Sequence, residues 1–195
     1  MLNHIRPAIV MIALFTGVLG VAYPFAVTGV AQAAFPEQAN GSLVHDKAGK
    51  VVGSALIGQS FAAPVYLHPR PSAAGAGYDA SASSGSNLGP LNPDLIARVK
   101  TDAEALRTEA GGAVVPADAV TTSASGLDPH ISPAYARLQI ARIASARGVG
   151  EAQVREVIEQ HVEGRTFGVL GQPRVNVLLT NRALDARFAR PAVEG

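Results

Sequence analysis

Five histidines and fifteen carboxylates are the residues from which a metal centre or an acid/base pair would have to be built. No two histidines stand at H-x-x-x-H or H-E-x-x-H spacing. His45, His68, His130 and His161 are each isolated in sequence, so no ligand set is assigned. Cysteine is absent, which excludes thiolate metal sites and disulfides. Ser83, Ser84, Ser86, Ser123 and Ser125 lie near glycines, yet none fits the G-x-S-x-G elbow of a nucleophilic serine. Asp128 and His130 follow Ser125 closely, and a Ser/His/Asp set could form there only in space. Gly126 and Pro129 make a turn the simpler reading, with the Asp128 side chain bonding to nearby backbone. The glycine-rich stretch 72–90 contains no lysine and no G-x-x-x-x-G-K-[ST] match, so nucleotide binding does not follow from spacing. Asn40-Gly41-Ser42 fits a glycosylation sequon, but Asn-Gly reads more simply as a turn. No catalytic residue is assigned.

The elements that would position these residues form a mixed α/β pattern. Leu43 to His45 and Val51 to Ser54 flank a turn at Asp46 to Lys50 and predict a hairpin. Ser72 to Pro90 is rich in Ser, Ala and Gly and predicts a long loop. Asn92 as cap and Pro93 at the first helical position start a helix with Leu95, Ile96, Val99 and Leu106 on one face, stopped at Gly111 and Gly112. A second helix is expected from Ser132-Pro133 to Gly148. A third runs from about Glu151 to Glu163. Alternation in Val175 to Thr180 predicts a strand, followed by a short helix from Ala183 to Ala189.

Ahead of this domain, the 30 residues from Pro7 to Pro36 carry no charge. As a helix they would rise about 45 Å, against roughly 30 Å of hydrocarbon. The expected organisation is therefore an anchor at 1–36 and one mixed α/β domain at 37–195. Arg6, with His4 and the terminal amine, lies on the short side of the span, which predicts a cytoplasmic N-terminus and an extracytoplasmic bulk. A cleaved signal peptide is the competing reading, because Ala31, Gln32 and Ala33 form an A-x-A site. The apolar run is longer than the roughly 7–15 residues of a signal core, which favours a retained anchor. Ala13, Gly17 and Gly20 are small residues at spacing that would let another transmembrane helix approach, and Pro24 is expected to kink or end the span. Residues 37–195 hold 15 basic and 15 acidic side chains, scattered and without a basic cluster, which argues against nucleic acid.

Taken in order, the segments resemble the C subunit of the Kdp-type potassium-transporting P-type ATPase of bacteria. Arg6-Pro7-Ala8, Tyr23-Pro24, Phe35-Pro36, Gln38 to Leu43 and Gly53 to Gln59 carry the first part of the likeness. Tyr66, His68, Arg70 to Ala73, Ser84 to Leu88, Asn92-Pro93 and Thr122 to Pro129 continue it. Ile131-Ser132, Gly171 to Pro173, Val175-Asn176 and Ala183 to Asp185 complete it. Each word is weak alone, but together they span nearly the whole chain.

The resemblance implies a single-pass protein of the bacterial inner membrane and an accessory subunit without catalytic residues or a tightly bound cofactor. Its partners would be a channel-like potassium-binding subunit, an ATP-hydrolysing subunit and a small fourth subunit. The implied role is assembly together with action as a catalytic chaperone that raises the ATP affinity of the hydrolysing subunit. The positions linked to nucleotide by resemblance are Ser123, Ser125, Gly126 and Gln139. ATP is cytoplasmic, whereas the charge bias puts these residues on the other face, so any effect on ATP would have to be coupled through the membrane subunits. A cap that tunes potassium entry at the outer face also fits. A secreted or tethered serine hydrolase is the reading from a different class.

Overall fold

The computed structural model describes residues 2–188. The chain divides into two compact units at the Ser54–Ala55 junction, and each is described by itself.

In the first unit, helix α1 runs unbroken over Ile5–Ala34, with a mean hydropathy of 2.1 in its most apolar window and no buried residue in that window. It is long and apolar enough to cross a membrane. Pro24, expected from sequence to kink or end the span, does not end the helix. Proline offers no N–H, and its ring crowds the carbonyl four residues back. Here the helix widens into a π segment at Thr16–Ala22, immediately before Tyr23-Pro24, and the Tyr23 N–H donates to the Val18 carbonyl five residues back. The helix then continues to Ala34. Ala13 lies in the α-helical turn before this segment, and Gly17 and Gly20 lie within it, all three exposed. A one-turn helix α2 (Pro36–Ala39) leads to the hairpin β1 (Leu43–His45) and β2 (Val51–Ser54), as the sequence predicts. Leu43 pairs with Ser54 and Val44 with Gly53, and a bulge shifts His45 onto Val51. Asp46 closes the turn by accepting the Ala48 and Lys50 N–H groups, both at 2.9 Å.

In the second unit, α3 (Pro93–Glu109) begins where Asn92 accepts the Asp94 and Leu95 N–H groups, as its capping signature requires. Strand β3 (His130–Ile131) precedes α4 (Pro133–Leu138), which is capped by Ser132. Next come α5 (Ile140–Arg147), α6 (Glu151–Gln160), β4 (Val162–Glu163), β5 (Arg174–Asn176) and α7 (Val177–Arg187). The three short strands form an antiparallel sheet in the order β3-β5-β4. Leu67, Ile131, Ile140, Ile143, Val154, Ile158, Val175 and Leu184 are at most 2 % exposed and form the core, against which α3 lays Val99, Ala103 and Leu106.

Four sequence expectations change. The strand expected at Val175 to Thr180 stops at Asn176, because the Asn176 side chain accepts the Leu179 N–H and caps a helix from Val177. The short helix expected from Ala183 is the second half of that helix, and Ala189 lies outside the described residues. The helix expected from Ser132 to Gly148 is interrupted at Gln139 (φ −88°, ψ −4°), whose side chain is drawn to another segment. The helix expected to reach Glu163 closes at Gln160, where His161 Nδ1 hydrogen bonds to the Val157 carbonyl at 2.7 Å, and Val162 and Glu163 pair with β5.

Candidate functional site

Residues 64–70 have no regular secondary structure, yet Leu67 has no exposed surface and Pro69 is buried. Backbone groups at and beside the buried positions must find partners, since an orphan costs roughly as much as a lost hydrogen bond. Side chains supply the partners. Asn181 Oδ1 accepts the Leu67 N–H at 2.7 Å and its Nδ2 donates to the Leu67 carbonyl at 3.0 Å. Gln139 does the same at the next residue, with Oε1 accepting the His68 N–H at 2.7 Å and Nε2 donating to the His68 carbonyl at 3.1 Å. Arg147 Nε donates to Val65 O, and Arg142 Nη1 donates to Pro64 O and Tyr66 O. Helices α5 and α7, with Gln139 at the α4–α5 junction, thus hold the segment.

Two arginines are built deeply into this clamp. The Arg147 side chain has no exposed surface, pairs with Asp185 at 2.9 Å and lies over the Tyr66 ring, 5.3 Å from its centroid. The Tyr66 hydroxyl donates to the other Asp185 oxygen. Arg142 bridges to Glu109 of α3 at 2.7 Å and also donates to Gln139 Oε1. Burial lowers the Arg142 pKa, opposed by the Glu109 carboxylate.

One residue beyond Pro69, Arg70 ties the segment to the loop at 121–129. Its guanidinium donates to Thr121 O and Thr122 O and pairs with Asp128 at 3.0 Å. Burial alone would raise the Asp128 pKa, but hydrogen bonds from His130 and the Arg70 guanidinium outweigh it and hold the carboxyl below its ordinary value. Ser123 and Ser125 hydroxyls stand 3.3 Å apart, and Ser125 Oγ accepts the Leu127 N–H. The Ser125 carbonyl accepts Ser84 N–H and Ser83 O–H, and the Gly126 carbonyl accepts Ser72 O–H at 2.6 Å. Gly126 has φ +66°, and a Cβ there would lie 2.5 Å from Ser84 O and 2.7 Å from Ala74 N. Only glycine lets these two loops meet.

Between the clamped segment and α3 lies a cleft of about 430 Å³, lined by Phe61, His68, Tyr78, Asp102, Leu106 and Tyr135 among others. Burial pushes the Tyr135 hydroxyl up to about 12. Burial, assisted by the nearby Arg142 charge, lowers the His68 pKa, so its imidazole is neutral at physiological pH.

The sequence-assigned residues are therefore placed as follows. Ser123, Ser125 and Gly126 form one turn, and Gln139 lies apart from it, connected through His68 and Arg70 of the clamped segment. Ser125, Asp128 and His130 do not assemble into a nucleophilic set. The His130 ring faces Asp128 at 3.6 Å, while the Ser125 hydroxyl bonds to Ser123 and to the Leu127 N–H. Among the described residues no group of three His, Asp or Glu could hold a metal ion. Sequence reasoning missed Asn181, Arg142, Arg147 and Asp185. A buried position carrying Asn or Arg inside an apolar helical pattern was the available signal.

Residues 5–186 match the family described as KdpC, the c chain of K+-transporting ATPase. A potassium-transporting ATPase KdpC subunit from Caulobacter sp. (strain K31) is 68% identical over 195 residues, covering all of both chains. Those of Beijerinckia indica and Koribacter versatilis are 59% and 49% identical, covering 96% and 98% of each chain respectively. With the match running from the start of the membrane-length helix almost to the end of α7, this chain belongs to the KdpC family of potassium-transporting ATPase subunits.

Proposed function

We propose that this chain is a non-catalytic subunit that serves assembly of the potassium pump and raises the ATP affinity of the hydrolysing subunit from a distance. Helix α1 holds it in the inner membrane with the N-terminus in the cytoplasm, and the second unit lies outside. Its partners are the channel-like potassium-binding subunit, the ATP-hydrolysing subunit and the small fourth subunit.

One observation carries the indirect reading. Gln139 is 2 % exposed and its carboxamide is engaged with the His68 backbone and Arg142, which supports a bracing role at the clamped segment over contact with a nucleotide. In the Ser123 to Leu127 turn the Ser125 and Gly126 carbonyls are likewise engaged, by Ser83, Ser84 and Ser72. An effect on ATP then requires two states of the assembled pump that this domain distinguishes, with a coupling of typically 1–3 kcal/mol.

The test uses the whole complex. An ATP analogue carrying a photoreactive group should label the hydrolysing subunit and leave this chain unlabelled, while Gln139→Met raises the KM for ATP severalfold with little change in kcat. Labelling of this chain within 123–139 would overturn the indirect reading. Because the chain has no cysteine, Ala124→Cys gives a unique thiol for an impermeant maleimide. Reaction in intact spheroplasts is expected, and protection until lysis would invert the topology.

A further inference from the structure

The segment between β4 and β5 carries three large apolar side chains turned to solvent: Phe167 is 90% exposed, Val169 72% and Leu170 60%. Isolated exposed apolar residues are ordinary, but a cluster at one loop tip marks a contact surface. This tip is preformed. Thr166 and Leu170 pair in both directions, at 2.9 and 3.0 Å, and the Gly168 and Val169 N–H groups donate to Arg165 O and Thr166 O. The Thr166, Gly168, Val169 and Leu170 N–H groups are closed within the loop, so an apolar partner could cover the tip without stranding these four.

Phe167 adopts φ +54°, a left-handed conformation that Gly or Asn takes easily and a bulky L-residue does not. The turn would form more readily with Asn. The ring makes no packing contribution to this chain's own core, so the strained Phe is a feature with no use inside the fold.

Charge decides the kind of occupant. Thr166 to Pro173 contains no charged residue. The flanking Arg165 donates to Gln172, and Arg174 is paired with Glu163 at 2.8 Å. An anionic lipid surface is recognised by clustered uncommitted cations beside the apolar residues, and here Arg174 is paired with a carboxylate and Arg165 is a single charge bonded to an amide. A neutral, projecting aromatic and aliphatic knob fits a neutral apolar socket on a protein.

We propose that the Phe167–Leu170 tip is a preformed docking knob that inserts into an uncharged apolar socket on another protein subunit of the same pump. The proposal rests on the reading of this chain as an assembled subunit.

Two measurements on the full complex test it. A photo-crosslinking phenylalanine analogue at position 167 should join this chain to another subunit. Phe167→Asn, which relieves the turn, should keep or raise the thermal midpoint of the full chain while lowering co-purification of the other subunits at least tenfold in detergent. Crosslinks to lipid alone, or none, in an intact complex would overturn the knob and leave the assembly reading standing. Normal co-purification of Phe167→Asn would also overturn the knob. Recovery of the unsubstituted chain without any partner would sink both.

Discussion

Two amides and two arginines organise the second unit, and each can be tested singly. Asn181 is 1% exposed and satisfies both backbone groups of Leu67. Asn181→Ala leaves those groups unpaired in the interior, and a loss of about 2–4 kcal/mol is expected by denaturant unfolding. Asn181→Asp keeps the acceptor but loses the donor to Leu67 O, and it should also be destabilising. Gly126→Ala is expected to cost more than 2 kcal/mol, because it combines a positive φ with a backbone clash that neither loop can relieve cheaply. His68 supplies a pH signature. Its folded pKa lies below the ordinary 6.5 through burial and the neighbouring Arg142. The unfolded chain therefore binds more protons as pH falls past 6.5, and the stability linked to this group is fully present above 6.5 and lost as pH drops through the folded pKa. Thermal midpoints measured from pH 7.5 to 5 should decline, and His68→Gln should flatten that decline. Asp128 acts lower on the scale, with a depressed folded pKa that withdraws stability only below the ordinary carboxylate range.

At the scale of elements, short polar signals override apolar pattern. Val175, Val177 and Leu179 alternate as a strand would, but Asn176 caps a helix that begins at the next residue and also donates to Ala55 O at 2.8 Å. Asn176→Ala is expected to lose about 1–3 kcal/mol, the cap together with the Ala55 bond, read by chemical denaturation. Gln139 shows the same competition: the 132–148 segment has helical periodicity throughout, yet pairing with His68 divides it. In α1, Pro24 is absorbed upstream by the π segment at Thr16–Ala22. Capping residues at Asn92 and Ser132 were legible in the sequence because their partners lie within three residues. The bonds of Asn181 to Leu67 and of Arg147 to Val65 were not, because they span 114 and 82 positions.

At the scale of the whole molecule, family membership makes this chain one part of a potassium-transporting ATPase. Two consequences are measurable in the assembled pump. Arg147→Met removes a fully buried cation and leaves Asp185 without it, so the chain should lose about 3–5 kcal/mol and the pump should be recovered in lower yield. Reversing the charge bias with Arg6→Glu should reduce correct insertion, read as a smaller fraction of maleimide-accessible Ala124→Cys. The sequence by itself determined the membrane-length helix, the hairpin at 43–54, the capped helix at 93–109 and the lack of metal or nucleophile spacing. Each depends on composition or on neighbours a few residues apart. Its resemblance also placed the chain in its family. Only the tertiary structure decided that residues 64–70, buried at Leu67 and Pro69, are held by Asn181, Gln139, Arg142 and Arg147, and that Gly126 joins two loops. Those features arise where backbone groups distant in sequence must find partners in a dry interior, a requirement that no local pattern of residues records.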